Sequence, residues 1–356
     1  MEPLRIGFVG CGEHARMSLY PSLRTAFGGS PSGLPALVLT QQGRQQPPLL
    51  AELVALADHK RDLAERVAAF HGVRTVYTDH LTMLAQERLD AVIVCMHPRR
   101  QAQVAIDCLE RGVHVWVEKP PAESVGEAAV MAAAARQAGK HLAVGYMKRF
   151  SSPYLRAKSF MEQSGFGQPS VFESRYTYGQ YPVDVYHFLN GFATHHLDLP
   201  RFFMGDVESV YAARVSRGTG LDGYAITLRF ANGGIGLVNV NCLEGEHNNW
   251  SERVAISGVG GRVFVENWRR VVGFLPGTPT YYWEPEDIRP ADDQNSLAVH
   301  GFVGELRDFL ESVRDGRAPA CTIDEGIAVL RLERAVNLSV ERDAKVSLDE
   351  VPADGQ

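Results

Sequence analysis

The stretch IGFVGCGEHA, residues 6–15, decides the first half of the fold. An apolar run ends at Val9 and is followed by the pattern G-x-G-x-x-A. The first glycine of such a pattern permits a tight turn, the second lets a phosphate approach the backbone, and the alanine lets the next helix pack closely on the strand. Unpaired N–H groups at the helix start favour an anion. The pattern predicts a dinucleotide-binding turn, with a glycine-rich turn without a ligand as the alternative. The residues assigned to the cofactor here are Gly10, Cys11, Gly12, Glu13, His14 and Ala15.

Outward from this turn, short apolar runs alternate with helical patterns as far as residue 147. The apolar runs are residues 4–9, 53–57, 91–95, 113–117 and 142–146. In the helical pattern 61–71, Leu63, Val67 and Phe70 share one face. Such alternation is typical of a parallel sheet covered on both faces. We therefore predict an α/β fold that begins with a doubly wound Rossmann domain at 1–147, interrupted by a Gly-, Pro- and Gln-rich insertion at 28–50 with a short strand at 37–40.

An acidic residue at the end of the second strand completes the fingerprint. Asp58 lies 46 residues beyond Gly12, or 23 once the insertion at 28–50 is omitted, close to the usual spacing of about 20. A carboxylate there accepts hydrogen bonds from ribose hydroxyls and repels a 2′-phosphate, so it favours NAD. The basic residues at 59–61 keep NADP open as the alternative cofactor. Asp58 as the N-cap of the following helix is compatible with the ribose role.

The second half of the chain, 148–356, changes to strands of period two. Residues 224–230, 238–242 and 254–256 alternate apolar and polar side chains, and helical patterns at 300–314 and 324–341 close the chain. We predict a C-terminal α/β domain with a mostly antiparallel open sheet, one face buried and the other polar or available to a partner subunit, and with the C-terminal helices packing back.

Composition excludes several classes of function. The formal net charge of −6 and the lack of a dense basic stripe argue against nucleic acid as a partner. No apolar stretch approaches the length of a membrane span, and the start of the chain carries no signal-peptide core. The five scattered cysteines form no C-x-x-C pair, so we expect reduced thiols in a cytoplasmic protein rather than disulfides or a structural zinc site.

A lysine follows the fourth of these apolar runs, in the stretch GVHVWVEKPP, residues 112–121. Ligands of a doubly wound sheet bind beyond the carboxyl ends of the strands, so Glu118 and Lys119 are predicted to face the cofactor. Pro120 and Pro121 restrict the backbone directly after the lysine. A partly desolvated lysine can exchange a proton with a substrate hydroxyl. An exposed Glu–Lys pair is the alternative interpretation.

These motifs together resemble the glucose-fructose oxidoreductase/inositol dehydrogenase (Gfo/Idh/MocA) family. The resemblance rests on the G-x-G-x-x-A turn, the E-K-P at the end of a later parallel strand, the following GYMKRF and the antiparallel second half. It implies an NAD(P)-binding Rossmann domain and a C-terminal domain whose open sheet commonly mediates oligomers, here a homo-oligomer (dimer or tetramer). It also implies oxidation or reduction of a sugar, cyclitol or related polyol, with Lys119 in the catalytic group.

The stretch FLNGFATHHLDLPRFFMG, residues 188–205, resembles the family segment D-x-x-x-H-x-x-D. Alignment on Asp198 places the family histidine at His195, which we assign to catalysis; a helix histidine bonded to a carbonyl is the alternative. The family aspartate falls on Gly191, a departure for which Asp184 or His187 could substitute. A metal site is not expected, because the spacing fits no common ligand set and the resemblance implies none. The predicted substrate residues are Lys119, Arg149, Asp184, His187, His195 and His196.

A further group follows the third of the apolar runs, in VIVCMHPRRQA, residues 92–102. The family often has T-P-N here with a histidine slightly later, so this chain departs from the pattern of the nicotinamide pocket. The residues predicted to flank the cofactor are Cys95, Met96, His97 and Gln101.

The sequence therefore predicts an NAD(P)-dependent oxidoreductase that transfers a hydride between the nicotinamide and a secondary alcohol or ketone of a small carbohydrate-like substrate. Two alternatives remain at this point. One is a redox-assisted glycoside-cleaving enzyme that uses bound NAD transiently, and the other is a non-catalytic nucleotide-sensing binding protein.

Overall fold

The structure, a computed structural model, describes residues 2–28, 48–179, 188–244, 251–285 and 293–352. Most of the predicted insertion, including the strand expected at 37–40, lies outside these residues. The chain divides into two units, one made of Met1–Phe150 and Ala291–Ile327 and the other of Ser151–Pro290 and Ala328–Gln356. The predicted region 148–356 is thus split, since its segment 291–327 groups with the N-terminal residues.

The described strands and helices are numbered in chain order. The strands are β1 (Leu4–Val9), β2 (Ala51–Ala57), β3 (Thr75–Tyr77), β4 (Ala91–Val94), β5 (His114–Glu118), β6 (Leu142–Gly145), β7 (Pro169–Thr177), β8 (Val207–Ser216), β9 (Asp222–Phe230), β10 (Ile235–Asn241), β11 (Ser251–Gly258), β12 (Arg262–Glu266), β13 (Arg270–Phe274), β14 (Tyr281–Trp283) and β15 (Val346–Ser347). The α-helices are α1 (Tyr20–Ala26), α2 (Arg61–His71), α3 (His80–Gln86), α4 (Pro98–Glu110), α5 (Val125–Ala138), α6 (Ser152–Met161), α7 (Phe188–Gly191), α8 (Thr194–Met204), α9 (Asp293–His300), α10 (Phe302–Asp315) and α11 (Ile323–Arg342).

The first unit is built on a six-stranded sheet of order β3-β2-β1-β4-β5-β6. Its neighbouring strands pair in parallel throughout. This order reverses direction beside β1, so a crevice opens beyond the carboxyl ends of β1 and β4, where doubly wound sheets bind their ligands. The predicted Rossmann fold is confirmed.

The sheet of the first unit carries fully buried side chains on both faces. On one face, Ile6, Phe8, Ile93 and Trp116 are almost inaccessible to solvent and belong to one apolar cluster. On the other face, Val92 and Val94 of β4 and Val115 and Val117 of β5 are equally buried. Burying a side chain of this size stabilises the fold by about 1.5–3 kcal/mol. Gly145 in β6 leaves room for the indole, since a Cβ there would lie 2.5 Å from the Trp116 ring.

Helix α10 returns to this unit from late in the chain. Its residues Leu306, Phe309 and Leu310 join the apolar cluster described above. The helix ends at Gly316, which adopts the left-handed conformation that glycine allows without strain. A segment distant in sequence thereby completes the core beneath the parallel sheet.

Two details of the first unit differ from the prediction. The short strand β3 was not expected, because three residues are too few to show an alternating pattern. Phe70, expected on the buried face of α2, is 75% exposed, and the buried residues of that helix are Ala64, Val67 and Ala68. The apolar stripe is therefore rotated by about one position from the predicted face.

The second unit is built on a nine-stranded sheet of order β14-β13-β12-β11-β7-β10-β9-β8-β15. Its described pairs are antiparallel except that β7 and β10 run in parallel. Along β9, Tyr224, Ile226, Leu228 and Phe230 are buried while the residues between them are exposed. Helices α6 and α8 pack on this sheet. The predicted mostly antiparallel sheet with one buried face is confirmed.

Within the described part of the chain, every helix is too short or too polar to cross a lipid bilayer.

Candidate active site

The turn after β1 has the geometry that a phosphate loop needs. Gly10 has φ +106°, and a Cβ on it would lie 2.1 Å from the Cys95 carbonyl oxygen, so only glycine fits without displacing the backbone. A Cβ on Gly12 would meet no atom within 4 Å, which shows open space above this residue. Ala15 is fully buried where the following helix packs on the sheet. The three small residues therefore have the separate roles that the motif predicts.

Cys11 contributes a buried thiol beneath this loop. Its Sγ atom lies 3.4 Å from the Tyr20 hydroxyl, which also donates a hydrogen bond to the Gly10 carbonyl oxygen. Burial raises the pKa of the Cys11 thiol to about 11, so the group is neutral at physiological pH. The buried Cys11 side chain therefore supports the loop from within the unit.

Asp58 follows β2 and is held in a fixed position. Its carboxylate accepts a 2.7 Å hydrogen bond from the Cys11 backbone N–H and a 2.8 Å bond from the Lys60 backbone N–H. The N-cap of α2 is Lys60, and it has no side-chain cap bond, so Asp58 does not cap that helix. The carboxylate is tied to the phosphate loop itself, the place from which it can meet an adenosine ribose.

The turn after β5 is braced from behind by Gln101. The Gln101 amide N–H₂ donates 2.5 Å and 3.1 Å hydrogen bonds to the backbone carbonyls of Glu118 and Pro120, and its amide oxygen accepts a 3.3 Å bond from the Met96 N–H. Gln101 is fully buried. It was predicted to flank the cofactor, but its polar atoms fix the backbone on either side of Lys119.

Glu118 links this turn to the phosphate loop. One carboxylate oxygen lies 2.8 Å from His14 Nε2, and the other accepts a 2.6 Å hydrogen bond from the Lys119 backbone N–H. Glu118 is buried, whereas the His14 side chain is 45% exposed. The phosphate loop and the lysine-bearing turn are thus joined by a direct side-chain contact at the carboxyl ends of β1 and β5.

The residues after β4 lie beside the same edge of the sheet. Burial and the nearby Glu118 carboxylate raise the pKa of the Cys95 thiol well above its ordinary value. The exposed His97 is the N-cap of α4, and its Nδ1 accepts a hydrogen bond from the Arg99 N–H. Cys95 and Met96 are half-buried. The predicted flanking of the cofactor by these residues stays a prediction.

Arg149 lies in a short 3-10 helix after β6 and is buried. Its guanidinium donates a 2.7 Å hydrogen bond to the Glu325 carboxylate, so its charge is balanced within the first unit. The predicted contact between Arg149 and substrate stays a prediction. A substrate there would meet a guanidinium that is already paired with Glu325.

In the second unit, His195 lies in the first turn of α8 and is largely buried. Gly191, at the position of the family aspartate, ends the short helix α7 just before it. Asp184 and His187, the predicted substitutes for that aspartate, lie outside the described residues. The structure therefore positions the histidine of the motif and supplies no carboxylate at Gly191.

His196, the neighbour of His195, has both ring nitrogens engaged inside the second unit. Its Nδ1 lies 2.5 Å from the Ser174 hydroxyl and its Nε2 lies 3.1 Å from a Glu252 carboxylate oxygen. The Tyr176 ring stacks on the imidazole at 4.8 Å, and the Tyr154 hydroxyl donates a short hydrogen bond to Glu252. Its predicted role was a contact with substrate; the structure shows a fully buried ring that anchors α8 to β7 and β11.

Two buried acids were missed by the sequence reasoning, although each leaves a trace in the pattern. Glu252 has the same parity as Val254 and Ile256 in a strand with one buried face, so its side chain belongs to that face. Glu305 lies between Phe302 and Leu306 on the apolar side of an amphipathic helix. An acidic residue at an apolar position of a strand or helix pattern indicates a buried carboxyl. Known motifs alone do not reveal such a residue.

Among the residues that the structure describes, no group of three or more His, Cys, Asp or Glu side chains is arranged to hold a metal ion.

The loop at Gly10 to Ala15, the open space above Gly12 and the tethered Asp58 fit a dinucleotide. The loop would hold the diphosphate at a helix start, and Asp58 would hold a ribose. These features define a nucleotide-binding protein of the doubly wound α/β class, with a lysine presented beside the expected position of the reactive ring.

Comparison with known proteins assigns the family. Residues 4–146 match the family model described as oxidoreductase family, NAD-binding Rossmann fold, and residues 158–348 match the model of its C-terminal alpha/beta domain. The chain belongs to the Gfo/Idh/MocA oxidoreductase family, and its first unit is an NAD-binding Rossmann domain.

Individual relatives agree with this assignment. The chain is 25% identical over 320 residues to myo-inositol 2-dehydrogenase of Thermotoga maritima, covering 85% of this chain and 92% of that protein. It shares its fold with an oxidoreductase from Agrobacterium radiobacter solved with NAD+, L-tartaric acid and magnesium, at TM-score 0.81 and 17% identity over 98% and 99% of the two chains. A levoglucosan dehydrogenase solved with NADH and L-sorbose has the same fold, at TM-score 0.80 and 18% identity over 98% and 99% of the chains.

Proposed function

We propose that this protein is an NAD-dependent dehydrogenase that oxidises a secondary alcohol, or reduces the matching ketone, of a sugar, cyclitol or related polyol. The observation that carries the proposal is the placement of Lys119. The lysine follows β5 on a turn braced by Gln101 and joined through Glu118 to the phosphate loop. Rigid placement beside a cofactor site is what proton exchange with a bound substrate requires.

The roles of the chain's own residues follow from this placement. Lys119 hydrogen-bonds the reacting hydroxyl and takes part in its proton transfer, and His195 serves as the second acid–base group. When bound, the nicotinamide supplies the hydride acceptor or donor. Glu118 and Gln101 keep the turn in place, and the phosphate loop and Asp58 orient the cofactor.

Named relatives support the substrate class. The relatives include a myo-inositol 2-dehydrogenase and a scyllo-inositol 2-dehydrogenase (NAD(+)), the latter 25% identical over 314 residues, and a levoglucosan dehydrogenase with the same fold. These names favour net oxidation of a polyol over the two alternatives, transient NAD use in glycoside cleavage and nucleotide sensing without catalysis.

The deciding experiment is a panel of inositols, sugars and amino sugars assayed with NAD and with NADP, followed at the absorbance of the reduced nicotinamide. Net formation of NADH with a polyol is the expected result. Substrate consumption without net NADH would instead support transient cofactor use, and no substrate-dependent redox change with any member of the panel would argue for the sensing protein.

Asp58 is expected to set the preference for NAD. Asp58→Ala removes the predicted ribose acceptor and the support of the Cys11 N–H, so we expect the Kd for NAD to rise about 10- to 100-fold while binding of NADP weakens less. Titration calorimetry with both cofactors measures this. Asp62→Ala, at an exposed acid in the first turn of α2, is the matched control and should leave both affinities unchanged. A wild-type protein that prefers NADP would overturn the role given to Asp58.

We also propose that the protein acts as a homo-oligomer, a dimer or tetramer, through the outer face of the second unit's sheet. Tyr211, Thr227 and Leu237 lie in register across β8, β9 and β10 on that face, and both Tyr211 and Leu237 are exposed. Light scattering coupled to size exclusion tests the state of the wild type and of Leu237→Glu, which should dissociate if this face is the interface.

A further inference from the structure

Glu305 is a buried acid whose two carboxyl oxygens accept no hydrogen bond from a described residue. It lies in the first turn of α10 and is 2% exposed. Both carboxyl oxygens are inaccessible to solvent, and neither has a hydrogen-bond partner among the described residues. Buried polar groups are nearly always paired in native proteins, so an unpaired carboxyl at this place requires an explanation.

The surroundings of Glu305 favour its neutral form. The neighbouring residues Leu306 and Phe309 belong to the apolar core, and neither carboxyl oxygen accepts a hydrogen bond from a described residue. An ionised carboxylate without a partner is strongly disfavoured in such a medium. Burial, with a contribution from the Glu118 carboxylate, raises the pKa of Glu305 well above its ordinary value.

The groups that act on Glu305 belong to the candidate active site. Helix α10 packs against β5 and β6. Within electrostatic reach of the carboxyl are Glu118 and Lys119, directly after β5, and the Cys95 thiol after β4. The Glu118 charge opposes ionisation of Glu305, whereas the Lys119 charge favours it. The buried acid is therefore coupled to the two residues of the E-K-P turn that carry charge.

We propose that Glu305 is a positioning residue that acts through Lys119: held as a neutral acid in α10, which packs against the strand that ends at Glu118, it adds no negative charge near Lys119 and so keeps the Lys119 proton exchangeable. Ionisation of Glu305 would place a second negative charge near the ammonium group and stabilise it electrostatically. Proton exchange between Lys119 and a substrate hydroxyl would then be hindered. This inference rests on the proposed function.

The coupling can be measured without turnover. A protonated carboxylic acid has an infrared carbonyl band that disappears on ionisation, and Glu305→Gln identifies the band of Glu305 by its loss. We expect the band to persist to higher pH in Lys119→Met, which removes the cation, and to be lost at lower pH in Glu118→Gln, which removes the anion. Glu333, a half-buried acid of the second unit whose pKa burial raises to about 7, is the control, and Lys119→Met should leave its band unchanged.

Turnover gives the second measurement. Because glutamine is neutral at every pH and has nearly the same shape, Glu305→Gln reproduces the neutral form of the acid, so its kcat should lack the decline that ionisation of Glu305 causes in the wild type. Above the pH at which the infrared band shows Glu305 of the wild type to ionise, the variant should exceed the wild type several-fold in kcat for alcohol oxidation.

Two results would overturn the inference. One is an infrared titration of Glu305 that does not respond to Lys119→Met, and the other is a pH profile of Glu305→Gln that coincides with that of the wild type. A protein without any substrate-dependent redox change would refute the proposed function instead, and the infrared titration would still decide whether Glu305 and Lys119 are coupled.

Discussion

Lys119→Ala is expected to lower kcat by about 10²- to 10⁴-fold, the range typical for loss of a positioned proton-transfer group. The affinity for NAD should change little, because the diphosphate and ribose contacts predicted at the phosphate loop and Asp58 are unaffected. Steady-state kinetics with the best substrate of the polyol panel, together with a direct NAD titration, measures both quantities.

The control for this variant is Lys345→Ala, at an exposed lysine just before β15, which should retain full activity. Lys119→Arg separates two roles, since arginine keeps the charge but does not release its proton. Activity lost in both Ala and Arg variants indicates proton exchange, and activity kept in the Arg variant indicates charge stabilisation. Near-normal turnover of Lys119→Ala would remove the residue from the mechanism.

His196→Leu is expected to lower the free energy of unfolding by about 3–5 kcal/mol, since it leaves the buried Glu252 carboxylate without its histidine partner. The loss should appear as a lower midpoint in urea unfolding. The double variant His196→Leu/Glu252→Leu should recover much of the loss, because removing both polar partners avoids an unpaired buried charge.

An exposed ion pair in the same unit provides the comparison for His196. Arg175 and Glu244 are bonded at 2.9 Å, and both side chains are about half exposed. Glu244→Ala should therefore change stability by no more than about 1 kcal/mol. If His196→Leu leaves stability unchanged and instead raises the KM for substrate, the original prediction of a substrate contact is right and the anchoring role is wrong.

The parts of the fold that sequence predicts well are those with a strong local pattern. The G-x-G-x-x-A turn and the apolar strands around it define the parallel sheet, and the parity of residues such as Ile226 and Leu228 defines the buried face of the second sheet. What local patterns do not show is which distant segments return to a core. The segment 291–327 groups with the first unit because α10 packs on the core of that unit. The helical period of α10 shows which of its faces is apolar but not which core that face packs against.

The residues of the candidate site likewise include some that the sequence predicts and some that it does not. The positions of Lys119 and Asp58 directly after β5 and β2 could be predicted because strand ends in a doubly wound sheet have a known direction, and their roles toward ligands stay predictions. Gln101 and His196 were predicted to meet ligands, and this stays a prediction. In the structure their polar atoms bind backbone and buried side chains, a supporting contact that the motifs alone do not reveal. Glu305 was missed, since the electrostatic effect of Lys119 on it arises from the packing of α10 against β5.

The sulfur beneath the phosphate loop has a consequence for the chemistry of the protein under oxidative stress. With a pKa of about 11, only about one Cys11 thiol in ten thousand is a thiolate at pH 7. Since electrophiles and peroxides attack the thiolate, Cys11 should resist alkylation and sulfenic acid formation while the unit stays folded. Nucleotide binding should then be insensitive to peroxide concentrations that inactivate enzymes with an activated cysteine at the same turn.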